Sequence, residues 1–137
     1  MAWGVRFRRA GGDDRALAWV LAAGALSACA LAPALPVLAR FAPVCPFHAW
    51  TGVPCPGCGS TRAVLAFFRG DVAAAFGFNP LAATALTAGL VGGFLAPLWV
   101  AGGGPLPALA PVLPARTRLA LGALLIANWA YLVWRGV

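Results

Sequence analysis

The stretch Cys45-Pro-Phe-His-Ala-Trp-Thr-Gly-Val-Pro-Cys55-Pro-Gly-Cys58-Gly-Ser-Thr-Arg62 sets the reading of the chain because of what stands on either side of it. Upstream, Ala16 to Ala39 carries no charge; downstream, Asn79-Pro80 opens a second uncharged run to about Ala101. Each exceeds the roughly 20 apolar residues with which a helix crosses about 30 Å of hydrocarbon. A third run, Leu119 to Trp134, is bracketed by Arg116, Arg118 and Arg135. Its sixteen positions reach only about 24 Å, so the flanking arginines are expected to snorkel and the bilayer to thin locally. The expected fold is an all-α integral membrane protein with three transmembrane helices, at about 16–39, 80–101 and 118–135. A Cys/Pro/Gly-rich loop and short helices fill 41–79, among them a short amphipathic interfacial helix. Residues 1–15 read as a basic cytoplasmic tail, and residues 16–137 as a single membrane domain.

Composition supports this. Of 137 residues, 62% are hydrophobic and 9% charged, against roughly a quarter charged in ordinary soluble domains. A soluble chain of this length cannot bury that much apolar surface. Ten arginines, no lysine and three aspartates give a formal charge of +7. The arginines flank apolar runs instead of forming a basic stripe, which argues for membrane anchoring and against nucleic acid as a partner. With the N-terminus inside, Arg6, Arg8, Arg9, Arg15, Arg116 and Arg118 lie in the cytoplasm, and Arg40, Arg62, Arg69 and Arg135 lie outside. That bias, concentrated before the first helix, puts the cysteine loop on the outer, extracytoplasmic face of the membrane.

Local signals divide the rest. Pro33 and Pro36 should kink or end the first span. Leu26-Ser27-Ala28-Cys29 also matches a lipoprotein processing box, although the chain stays apolar to Leu38; otherwise Cys29 is a small buried residue of a spanning helix. The Pro- and Gly-rich stretch from Phe41 to Gly59 should be turns and not helix. Ser60 or Thr61 can cap a short helix to about Arg69, stopped by Gly70, with Val64, Leu65, Phe67 and Phe68 on an apolar face and Arg62 and Arg69 opposite. Asp71 should cap a second short turn, Val72 to Phe78. Asn79 is the expected cap of the second span and Pro80 its first helical residue. Gly89, Gly92 and Gly93 either allow a close helix approach or merely weaken that span. Residues 105–115, with four prolines, read as an extended linker. Trp129, Tyr131 and Trp134 read as an interfacial belt, and Asn128 as a lone amide turned to another helix.

Three of the four cysteines and the only histidine fall within fourteen residues. Three chemistries fit them. Cys45, His48, Cys55 and Cys58 offer two ligand pairs of the spacing used for zinc, although the gap between the pairs is short. A disulfide of Cys45 with Cys55 or Cys58 would close a loop outside the cytoplasm and leave one thiol over. Cys55 and Cys58 also form the Cys-x-x-Cys of thiol oxidoreductases, where a helix N-terminus and Arg62 would favour thiolate at Cys58 and Cys45 would resolve. No preceding strand supports a thioredoxin-like setting. Near hydrocarbon an unpaired charge is costly, so Arg62 and Asp71 are expected to form an ion pair; alternatively Arg62 and Arg69 hold a lipid phosphate. No carboxylate pair or serine–histidine–acid set is available for catalysis.

Cys45-Pro46-x4-Thr51-Gly52-x2-Cys55-Pro56-Gly57-Cys58-Gly59-x-Thr61-Arg62-Ala63, then Gly70-Asp71, then Asn79-Pro80-Leu81, resembles the bacterial membrane family called domain of unknown function 2752. The resemblance covers about residues 41–85. It implies a small multi-spanning protein in which Cys45, Cys55, Cys58, Arg62, Asp71 and Asn79 act as a unit, and it assigns them no role. His48 and Cys29 fall outside the motif. The expected function is that of a non-enzymatic accessory or structural membrane component with a disulfide- or metal-stabilised loop. The alternative is a membrane thiol–disulfide oxidoreductase using Cys55 and Cys58. The expected partners are the lipid bilayer and either another membrane protein or further copies of the chain.

Overall fold

The computed structural model describes residues 12–41, 45–104 and 114–136. The basic tail up to Gly11 and the proline linker at 105–113 lie outside the described residues. All regular elements among the described residues are helical: α1 (Gly12–Leu31), α2 (Leu35–Leu38), α3 (Pro46–Thr51), α4 (Ser60–Phe68), α5 (Val72–Phe78), α6 (Pro80–Ala101) and α7 (Ala115–Arg135). Three of the helical stretches are long and apolar enough to cross a membrane.

The first spanning helix starts earlier than expected. Gly12 to Arg15 already belong to α1, with Asp13 and Asp14 in its first turn, where their charge complements the helix dipole. Pro33 and Pro36 act as predicted: the chain tightens into 3₁₀ turns at Ala32–Ala34 and Ala39–Phe41, on either side of α2. α7 is longer than expected. It takes in Arg116 and Arg118, and its 21 residues reach about 32 Å, while the uncharged run inside it stays Leu119 to Trp134.

α1 and α6 run antiparallel in close contact. Their interface is built from small residues: Ala18, Ala22 and Ala25 on α1 and Gly93 and Ala96 on α6 are buried. Of the three glycines read as candidates for close approach, Gly93 performs it. A Cβ there would stand 2.7 Å from the Ala25 Cβ and 2.8 Å from the Leu21 carbonyl oxygen, whereas Gly89 and Gly92 face open space. α7 meets α6 only sparsely. It returns beside the N-terminal end of α6, so the cysteine loop and the end of α7 share one end of the bundle.

The loop is less irregular than its composition suggested. Pro46 supplies the first residue of the six-residue α3, and Gly52 ends it in the left-handed region at φ 70°. The helix after the cysteines starts without the expected hydroxyl cap. Gly59 takes the N-cap position at φ 80°, and Ser60 is already helical. α4 does not bury the large apolar residues first. Ala63 and Ala66 form its buried face, with Ala66 packed beside Ala75 of α5 and Ala83 of α6, while Val64, Leu65, Phe67 and Phe68 are half-buried. Small side chains thus bring α4 and α5 against the start of α6, and Arg62 and Arg69 remain exposed.

Candidate functional site

The site begins at α6's first turn. A helix start leaves its first N–H groups without intrahelical partners. Pro80 has none to offer, so Leu81 and Ala82 carry the exposed donors. Asn79 Oδ1 accepts from Ala82 N–H at 3.0 Å, the predicted cap, and Asn128 Oδ1 of α7 accepts from Leu81 N–H at 3.1 Å.

The other ends of these two amides hold the cysteine loop. Asn79 Nδ2 donates to the Cys58 carbonyl at 3.0 Å and lies 3.3 Å from both the Pro56 carbonyl and Ser60 Oγ. Asn128 Nδ2 donates to the same Pro56 carbonyl at 3.2 Å, and Trp129 Nε1 donates to the Pro54 carbonyl at 2.7 Å. Tyr131 adds a bond from its hydroxyl to the Gly77 carbonyl at 3.1 Å. Both asparagines are buried, Asn79 at 1% exposure. Pro54 and Pro56 lack N–H groups, so each meets the clamp through its carbonyl alone, and both carbonyls are used. Asn128 lies seven residues before Arg135, about 10 Å down the helix axis, so the loop dips below the end of α7. Non-helical backbone is tolerated at such depth when protein groups satisfy it.

This clamp carries the three motif cysteines. Cys45 immediately precedes α3, and Cys55 and Cys58 sit in the turn before α4. Their sulfurs all lie within 4.8 Å of one another. The Cys58 and Cys55 sulfurs are 3.3 Å apart, and Cys55 N–H donates to Cys58 Sγ at 3.1 Å. All three are free, partly buried thiols. His48 lies in α3 and is not among the clustered ligand atoms. Cys29, exposed in α1, is also separate.

The thiols differ. The His48 backbone N–H beside Cys45 holds its pKa below the ordinary cysteine value, with help from the Cys55 thiol. Burial, reinforced by Cys55, pushes Cys58 up to about 11. Both directions run against the expectation that Cys58 would be the favoured thiolate.

Asp71 is an N-cap. Its Oδ1 accepts from Ala74 N–H at 2.9 Å, and among the described residues no ion pair joins it to Arg62 or Arg69. At the exposed start of α5, a carboxylate gains more from an orphan N–H than from a long, solvated arginine. The aromatic belt is also redefined. Trp129 and Tyr131 are ties into the loop region, while Trp134 stays 81% exposed, its ring 6.4 Å from that of Tyr131. A lone amide within a span signalled that Asn128 has a buried partner; only the fold shows that the partner is the Pro56 carbonyl and the N-terminus of α6.

No curated protein and no solved structure matches the chain. Residues 45–93 match one family model, described as protein of unknown function (DUF2752). That segment runs from the first clustered cysteine, through both clamped carbonyls and Asn79, to the glycine on which α1 packs. The thiol cluster, the clamped carbonyls and the helix start thus lie within the matched segment, while Asn128 and Trp129 lie outside it, in a chain whose three long helices suit a membrane.

Proposed function

We propose that the chain is a non-enzymatic component of the bacterial inner membrane that presents a rigid, cysteine-closed loop at the extracytoplasmic face. The observation that carries this reading is the Pro56 carbonyl, which receives both the Asn79 and the Asn128 side-chain amides. The loop is fixed by residues from two of the long helices. The sulfur cluster then closes it from the other side. Phe41 at 80% and Trp50 at 90% exposure flank the loop, where aromatic rings suit a headgroup layer or a docking partner. The exposed apolar sides of α7 leave room for lipid, a second copy or partner helices.

The test is topological. Trp50→Cys should react with a membrane-impermeant thiol reagent on intact cells. Reaction only after the cells are opened would invert the orientation and remove the extracytoplasmic platform.

A second reading, a membrane thiol–disulfide oxidoreductase, is favoured by the 3.3 Å approach of Cys55 and Cys58. Thiol trapping separates the two. In a platform the state of these thiols stays constant under redox challenge; in an oxidoreductase Cys55 and Cys58 cycle.

A further inference from the structure

We infer that Cys45, Cys55 and Cys58 form a three-thiolate site for one thiophilic closed-shell cation, Zn2+ or Cu+, with no fourth ligand from the described part of the chain. The inference deepens the platform reading above and rests on it for the fixed loop.

Three observations lead there. A disulfide needs two sulfurs and gives a third no reason to approach, yet all three sulfurs lie within 4.8 Å of one another. Sulfurs on one tetrahedral zinc, at about 2.3 Å each, stand about 3.8 Å apart, so the cluster needs only small rotations to close on an ion. Second, Cys55 N–H points at Cys58 Sγ from 3.1 Å, the kind of outer contact that steadies a metal-bound thiolate. Third, the residues on both sides of Cys55 are pinned: the Pro54 carbonyl by Trp129 and the Pro56 carbonyl by Asn79 and Asn128. Ligands held by an outer layer of hydrogen bonds lose little freedom on binding.

The donor set selects the cation. Sulfur alone, with no carboxylate in the group, suits soft metals and discriminates against Mg2+ and Ca2+. Cu+ is satisfied by three sulfurs. Zn2+ takes a fourth ligand, which here would be water or a group from outside the described residues. Binding replaces the thiol protons, which pass to solvent, so uptake of the ion acidifies an unbuffered sample.

The experiment uses the full chain, extracted in detergent and fully reduced. Zn2+ is titrated in one arm and Cu+, without oxygen, in another, each against a competing chelator. Intact-mass counting of alkylated thiols follows. We expect one ion per chain, protection of three thiols, and alkylation of Cys29 alone. The arm with the tighter binding identifies the ion. Cys45→Ser, Cys55→Ser and Cys58→Ser should each weaken binding at least tenfold, while His48→Ala and Cys29→Ser leave it unchanged. Protection of fewer than three thiols, an equal loss in His48→Ala, or no uptake of either ion overturns the site. So does a disulfide among these cysteines in chain alkylated directly in membranes. Wild-type protein needs no variant to fold for the mass count. The platform reading fails separately: if Asn79→Ala leaves protease protection of the loop unchanged, the clamp is wrong whatever the metal result.

Discussion

α6 has two long neighbours and meets them differently. Against α1 it offers Gly93 and Ala96 to Ala18, Ala22 and Ala25 in close backbone approach. Against α7 it makes little direct contact, and the join is polar: Asn128 to Leu81 N–H, and Asn128 and Trp129 to the loop that α6 also caps. The difference suits helices whose solvent is lipid. Lipid tails give apolar side chains no reason to leave them, so helices associate through close backbone approach or through polar groups that lipid cannot satisfy. Close approach marks the α1 side of α6, and polar joins mark the α7 side.

The comparison can be broken from either side. Asn79→Ala should cost most, about 2 to 4 kcal/mol, since it removes a helix cap and orphans the Cys58 carbonyl at once. Unfolding in mixed micelles measures it, and a loss under about 1 kcal/mol would show that the loop does not depend on this amide. Gly93→Ala should cost about 1 to 3 kcal/mol because the new methyl meets the Leu21 backbone, which cannot rotate away. The same substitution at Gly92, which faces open space, should be neutral or stabilising; equal effects at both would remove the packing account of the α1 interface. Asn128→Leu should cost about 1 to 1.5 kcal/mol, near the upper range for polar contacts between membrane helices. It should also raise proteolysis of the loop, which Gly93→Ala should not; the reverse pattern would contradict the division drawn here. Asp71→Asn should change stability by less than about 0.5 kcal/mol, because asparagine caps a helix as well as aspartate does. A larger drop would restore an arginine partner to Asp71.

Much of this was legible in the chain. Uncharged runs between arginines announce spanning helices because an apolar helix must be paid for by lipid or protein, and here there is too little protein. Asn79-Pro80 announces a helix start through local chemistry alone. Cys45, Cys55 and Cys58 were recognisable as a unit by spacing and family resemblance, although His48, equally near in sequence, turned out to be separate. Other features depend on contacts across the fold. The buried face of α4 is Ala63 and Ala66, and nothing in a periodic pattern ranks small residues above Phe67 and Phe68. Charge alone suggests Arg62 for Asp71, whereas its Oδ1 accepts from the N–H three residues on. Trp129 looked like an interfacial ring because sequence cannot reveal that its indole N–H meets the Pro54 carbonyl from across the bundle.

The double acceptance at the Pro56 carbonyl has a consequence for biosynthesis. Both amide donors, at 79 and 128, emerge from the ribosome after the cysteines, the second about seventy residues after Cys58. Until then the turn bearing the thiols has no anchor on that side, and its sulfurs are open to whatever oxidant or ion the compartment supplies. Capture of a ligand and arrival of the last helix are therefore in a race, and a chain truncated ahead of residue 128 should retain its thiols in the unprotected state that the finished protein leaves behind.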